Sequence, residues 1–178
     1  MAEPDTLEGE KIILMGLDNG GKTSILLSLK GDRNLMTYFS LKPTPGIQIS
    51  EITSLNQQYY VWDFGGQESY RQQYIEDLPK YLKQTNRIIF VIDIQDQARM
   101  DQALEYFNRI LEILQGGKYK IKLSIYLHKY DPDRELDDTF GQYAGETIAK
   151  IKKMIPTTLQ YQIFKSTIYT LFRKTVIR

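Results

Sequence analysis

The sequence predicts an open α/β fold: a mostly parallel sheet with helices on both faces and one antiparallel edge strand. Three observations carry this. Short apolar runs alternate with longer segments of helical period. Two of those runs are separated by only two residues, as in a hairpin. Three motifs suited to ligand binding each follow directly on a predicted strand. Parallel crossovers place helices on both faces, and ligands in such sheets bind outside the carboxyl ends of the strands.

The elements follow in order. Residues 1–10 hold Glu3, Asp5, Glu8 and Glu10 and no apolar run, so they are expected to be a short polar tail, with 11–178 forming one domain. Lys11 to Met15 reads as a buried strand ending at Gly16, and Thr23 to Lys30 as the helix after it. The segment 31–46 has no periodicity. Ile47 to Leu55 and Gln58 to Phe64 read as strands joined tightly through Asn56 and Gln57. Arg87 to Ile94 is a further apolar strand. Met100, Ala103, Leu104, Phe107, Ile110, Leu111 and Leu114 form a helical stripe closed by Gly116 and Gly117. Ile121 to Leu127 is the next strand, and a helix from Thr147 to Ile155 stops at Pro156. Leu159 to Lys165 is the last strand and Ile168 to Arg178 the last helix.

Composition narrows the function. At 178 residues, with 42% hydrophobic and 25% charged side chains, the chain is an ordinary one-domain globule, not a disordered segment or a rod. Lys plus Arg number 23 against 22 Asp plus Glu, so no nucleic-acid footprint is expected. Cysteine is absent, which excludes disulfides, a thiolate zinc site, a cysteine nucleophile and S-linked lipids. The single histidine, His128, excludes a histidine-rich metal site. Residue 2 is Ala, not the Gly that N-myristoylation needs, and the apolar run 88–94 is interrupted by Asp93 and too short to span a bilayer. A cytoplasmic protein without a membrane anchor of its own is expected, and its oligomeric state stays open.

The first motif, Gly16-Leu17-Asp18-Asn19-Gly20-Gly21-Lys22-Thr23, fits G-x-x-x-x-G-K-[ST] between a strand and a helix. Glycines let successive N–H groups curl around phosphate, and the helix N-terminus adds positive potential. Lys22 supplies a charge to the β- and γ-phosphates and the Thr23 hydroxyl a ligand for Mg²⁺. The second motif is Trp62-Asp63-Phe64-Gly65-Gly66-Gln67-Glu68. Asp63 can hold Mg²⁺ through water, the Gly66 N–H can reach a γ-phosphate, and Gln67 can orient an attacking water. The competing reading of Gln67 is a helix cap. Upstream, Thr44 in Pro43-Thr44-Pro45-Gly46 can add a hydroxyl to the metal when a γ-phosphate holds its loop.

The third motif, His128-Lys129-Tyr130-Asp131, ends the 121–127 strand. The Asp131 carboxylate can accept hydrogen bonds from N1–H and the 2-amino group of guanine, donors that adenine lacks. The Lys129 stem can lie against the purine, and Ser166, Thr167 and Ile168 can close over the base. An ATP-using phosphate-loop enzyme and a domain that holds nucleotide without hydrolysing it are the alternatives.

These residues resemble the Ras-superfamily small GTPases over nearly the whole chain. The 16–23 and 62–68 motifs look like the Arf and Arf-like group. His128 to Asp131, Val91-Ile92-Asp93-Ile94-Gln95-Asp96 and Ser166-Thr167-Ile168-Tyr169 look more like the Rag group. The resemblance implies a phosphate-loop G domain with a six-stranded sheet and five helices. It implies a GDP/GTP switch with Mg²⁺, working through a first switch at about 31–46 and a second at about 63–80. Protein effectors, an exchange factor and a GTPase-activating protein are expected with it. By motif it implies nucleotide contacts at Asp18, Asn19, Gly20, Gly21, Lys22, Thr23, Ser24, Thr44, Gly66, His128, Lys129, Asp131, Ser166, Thr167 and Ile168. Gln67 and Lys22 would carry catalysis, and Thr23, Thr44 and Asp63 (through water) the metal.

His128 stands where the family has asparagine. Its ring can donate one hydrogen bond toward the purine or the phosphate loop, from either nitrogen. No arginine occupies a phosphate-loop or switch position equivalent to a built-in finger, and Arg71 is expected to face solvent. Slow unaided hydrolysis follows.

Overall fold

The structure is a computed structural model that describes residues 9–32, 34–117 and 119–168. The expected tail lies outside these residues apart from Gly9 and Glu10, and the expected last helix apart from Ile168.

In chain order the elements are β1 (Glu10–Met15), α1 (Lys22–Leu29), α2 (Leu35–Phe39), β2 (Ile47–Ser54) and β3 (Gln57–Phe64). They continue as α3 (Glu68–Tyr81), β4 (Thr85–Asp93), α4 (Met100–Gly116), β5 (Lys122–His128), α5 (Asp138–Met154) and β6 (Tyr161–Lys165). The six strands form one sheet in the order β2-β3-β1-β4-β5-β6, all pairs parallel except β2 with β3. The expected sheet is the one observed.

β1 is covered on both faces, as an apolar parallel strand must be. Ile13 and Met15 point into the larger core with Phe90, Phe107 and Leu78, and Leu14 points the other way, against Ile25, Leu26 and Val91. Successive residues of one strand therefore serve opposite layers. β3 lies on one side of β1 and β4 on the other, so consecutive connections diverge around the carboxyl end of β1. That divergence opens a crevice where a ligand can enter the sheet edge-on.

Four local expectations change. The hairpin turns on Leu55 and Asn56, at φ 50° and 62°, not on Asn56 and Gln57. A two-residue hairpin with both central residues at positive φ follows the strand twist, and Asn tolerates that conformation in either position, so its presence did not settle the register. The aperiodic segment 31–46 contains α2, five residues started by the Asn34 side chain accepting from Met36 N–H. One turn is too short to show a period. α5 begins nine residues before the expected Thr147, because the Asp137 carboxylate caps the Thr139 and Phe140 N–H groups. Phe140, Ala144, Thr147 and Ile151 then make its buried stripe, which Gly141 and Gly145 obscure in the sequence. Among the described residues, single 3₁₀ turns stand at 97–99 and 134–136, stretches for which the sequence pattern gives no element.

Leu55 is 98% exposed and so gains nothing from its left-handed backbone. Leu55→Asn should raise unfolding stability by about 0.5–1 kcal/mol, since the side chain gives up strain and no packing. The check is the urea midpoint at unchanged slope.

Candidate functional site

β1 runs into a loop that curls back before α1 because Asn19 and Gly21 take positive φ, 58° and 87°. Gly21 occupies the cap position of α1 and offers no side chain, and no acidic residue sits in the first turn. The first N–H groups of the helix are thereby left for an anion. Lys22, the first helical residue, is 5% exposed, and its ammonium donates to the Gly16 and Leu17 carbonyls at 3.1 and 2.7 Å. Burial lowers its pKa to about 8, against the pull of Asp63 and Asp18.

A cavity of about 310 Å³ opens above this loop. It brings together Asp18, Asn19, Gly21, Lys22, Thr23 and Ser24 from the loop, Thr44 from the first switch, Gly66 and Gln67 from the second, and Lys129 from the end of β5. Leu41, Lys42 and Pro43 also line it, residues to which the motifs give no role. At its floor three oxygen-bearing side chains meet. Thr23 Oγ1 donates to Asp63 Oδ2 at 2.7 Å, lies 2.9 Å from Thr44 Oγ1, and the Thr44 hydroxyl reaches the same carboxylate at 3.4 Å. Asp63 is fully buried at the end of β3, and its other oxygen, Oδ1, has no hydrogen-bond partner. Burial raises its pKa, while Thr23, Lys22 and Thr44 oppose the shift.

Gly66 packs directly on the phosphate loop. Its carbonyl accepts from Asp18 N–H at 3.1 Å, and a Cβ there would stand 2.1 Å from that nitrogen, so only glycine fits. Gln67 begins α3 with extended backbone, yet its side chain makes no capping bond and its buried Oε1 has no partner. The amide is not spent on the helix, which counts against the capping reading. Arg71 departs from its expected solvent-facing place: its Nε is buried and its guanidinium lies 5.7 Å from the Tyr106 ring, between α3 and α4.

Gly20, His128, Asp131, Ser166, Thr167 and Ile168 do not line that cavity. Gly20 is buried against Leu17. His128 stands behind the loop, 3% exposed, with Nδ1 3.1 Å from Ser166 Oγ. Its Cδ2–Nε2 edge covers Gly21 so closely that a Cβ at 21 would fall 2.4 Å from Cδ2. The imidazole thus braces the loop from behind. Lys129, at φ 59°, reaches the Asn19 carbonyl at 3.0 Å and Asp93 Oδ2 at 2.6 Å, tying the β5 end to the phosphate loop. Asp131 is half-buried beside the β6 end, where Thr167 Oγ1 donates to its Oδ1, and Ile168 is exposed nearby in sequence.

The resemblance of 91–96 assigns no role to Gln95, whose amide donates to both Asp131 Oδ2 and the Lys129 carbonyl at 2.7 Å. Nor does it assign one to Asp93, the partner of Lys129, and no motif marks Arg99, whose Nη1 lies 3.0 Å from Asp18 Oδ1. Asp93 ends β4 and the other two follow it, so the carboxyl end of that strand was the available signal.

Burial depresses the His128 pKa to about 4, with Lys129 adding to the effect. Between that value and the ordinary 6.5 the unfolded chain binds a proton that the folded chain does not. The histidine's contribution is complete above 6.5 and declines as pH falls through this window. Wild type should lose more stability between pH 7 and 5 than His128→Asn does. Paired urea titrations at the two pH values measure the difference.

The sequence profile of the ADP-ribosylation factor family matches residues 5–169. ADP-ribosylation factor 3 from Arabidopsis thaliana is 34% identical over 158 residues, covering 88% of this chain and 77% of the relative. ADP-ribosylation factor-like protein 5 from Caenorhabditis elegans is 37% identical over 102 residues, 57% of this chain and 53% of the relative. Among solved structures, the Arl6 BBS3 small GTPase of Trypanosoma brucei, with bound nucleotide analogue GppNp, superposes with a TM-score of 0.64 at 19% identity, covering 89% of this chain and 87% of that one. The mammalian SRP receptor superposes at 0.66 with 15% identity, over 89% and 91% of the two chains. The two structures speak for the fold, and the profile and sequence relatives for the family. The chain belongs to the ADP-ribosylation factor family of Ras-superfamily small GTPases, GTP-hydrolysing molecular switches.

Proposed function

We propose that the switch seats its nucleotide phosphates in the cavity above Lys22, with Mg²⁺ at Thr23, Thr44 and Asp63 and guanine against Lys129 and Asp131. The observation that carries this is the convergence of those two hydroxyls and that carboxylate on one point beside a buried lysine. Hard oxygen donors suit Mg²⁺, which takes few protein ligands and completes its shell with water and phosphate. The unpartnered Asp63 Oδ1 is the acceptor such a hydrated ion lacks elsewhere. When bound, the ion neutralises charge on the β- and γ-phosphate oxygens.

The chain's own groups do the rest. Lys22 is held at the loop, ready to exchange its two carbonyl partners for phosphate oxygens. Gln67, which lines the cavity and whose amide makes no capping bond, orients water for in-line attack on the γ-phosphorus. The bond to the β-phosphate oxygen breaks, leaving GDP and inorganic phosphate. Asp131 accepts from the guanine edge, while Thr167 and Gln95 occupy its outer lone pairs and fix the carboxylate plane. Ser166 acts through His128, and Ser24 lines the phosphate end.

The cavity lining contains Lys22, Lys42 and Lys129 but no arginine among the described residues. Unaided turnover is therefore expected near the about 10⁻⁴ s⁻¹ of a small GTPase without a finger, and an activating protein is expected to supply the missing cation. Exposed Met36 and Phe39 on α2 and Ile49 on β2 offer apolar contacts beside the first switch, which suits protein effectors and an exchange factor. No helix among the described residues is long and apolar enough to cross a membrane.

Two measurements test the assignments. Gln67→Leu should slow single-turnover GTP cleavage at least about tenfold with nucleotide binding retained, and cleavage at the wild-type rate would remove Gln67 from the mechanism. Asp131→Asn should move binding preference from guanosine to xanthosine nucleotides, because the amide donates where the carboxylate accepted. An unchanged preference would detach Asp131 from the base.

A further inference from the structure

The geometry points to Arg99 as a positioning residue that neutralises a carboxylate built into the phosphate loop and so sets the balance between triphosphate and diphosphate binding. The inference rests on the proposed seating of the phosphates above Lys22.

Asp18 is an unusual lining for a phosphate cavity. It is the second variable residue of the loop, it lines the cavity, and its side chain is 42% exposed. A carboxylate there repels a polyanion, more strongly the more charge the phosphates carry. Its backbone N–H is bonded to the carbonyl of Gly66, the glycine assigned to the γ-phosphate, which ties the residue's backbone to that side of the cavity.

Arg99 answers that charge from outside the loop. It lies in the 3₁₀ turn after β4, far from Asp18 in sequence, with Nη1 3.0 Å from Asp18 Oδ1 and Nη2 donating to the Asp18 carbonyl at 3.3 Å. Asp96 holds the other edge of the guanidinium: Arg99 Nε donates to its Oδ2 at 2.6 Å, and the same carboxylate caps the turn by accepting from Arg99 N–H. The fork is thus aimed by one acid and spent on another. An exposed ion pair contributes little to folding. Beside a phosphate cavity the same contact decides whether Asp18 acts as a free negative charge or as one already engaged by a guanidinium that it shares with Asp96. Arg99 contacts neither reacting atoms nor cavity space; it acts through Asp18.

The test is a charge cycle read by equilibrium binding of GDP and of a non-hydrolysable GTP analogue. Arg99→Met should weaken analogue binding about tenfold and GDP binding less, with the gap narrowing at high salt. Combining it with Asp18→Asn should bring analogue affinity back to within about twofold of Asp18→Asn alone, because no charge remains to offset. Asp18→Asn alone, with Arg99 still held by Asp96, removes the loop's carboxylate charge and should tighten the analogue relative to GDP. That arm keeps the test intact if Arg99→Met fails to fold. The inference is overturned if Arg99→Met binds like wild type, if the double variant stays as weak as Arg99→Met, or if Asp18→Asn weakens the analogue. Failure of the wild type to bind any guanine nucleotide would overturn the seating itself, a result distinct from all three.

Discussion

The structure depends on a buried ammonium. Lys22 cannot leave the core, since it is the first residue of α1 and the loop before it is fixed by β1 and by the backbone turn at Gly21. A cation so withdrawn from water needs oxygen around it. Two loop carbonyls supply that, but a neutral dipole is a weaker partner than an anion. Everything placed around the cavity follows from the need to bring an anion there and to keep competing charges in order.

The competing charges are arranged in pairs. Asp63 takes two hydroxyls on one oxygen, Asp93 takes the ammonium of Lys129, and Asp18 takes the guanidinium of Arg99. Each acid lies at the end of a strand or in the loop after one, and each is held by a residue from a different segment. Those ties run from the β3 end to α1, from the β4 end to the β5 loop, and from the phosphate loop to the turn before α4. The same contacts that settle charge therefore also fasten the carboxyl edge of the sheet, where backbone regularity ends.

Much of this was legible in the sequence, for physical reasons. Helix and strand periods exposed the sheet because its strands are apolar on both faces, as Ile13, Leu14 and Met15 illustrate. Contiguous motifs exposed Lys22, Thr23, Asp63 and Gln67 because a phosphate loop and a strand-end turn are local shapes. What was hidden was either short or remote. α2 is a single turn, and the hairpin register depended on which of two neighbours took the first left-handed position. Gln95 and Arg99 act across the sheet edge on residues far away in the chain, and no spacing rule links them. Arg71 reads as a surface helix residue until the ring of Tyr106 is placed beside it.

The contact between Gly21 and His128 has a consequence for how such a chain can change. The imidazole edge occupies the volume that any larger residue at 21 would need, and it is itself pinned by Ser166. Positions 21 and 128 thus share one small space although they lie in different segments. Any evolutionary path that enlarges one must first shrink the other, so the two sites are constrained to drift as a couple.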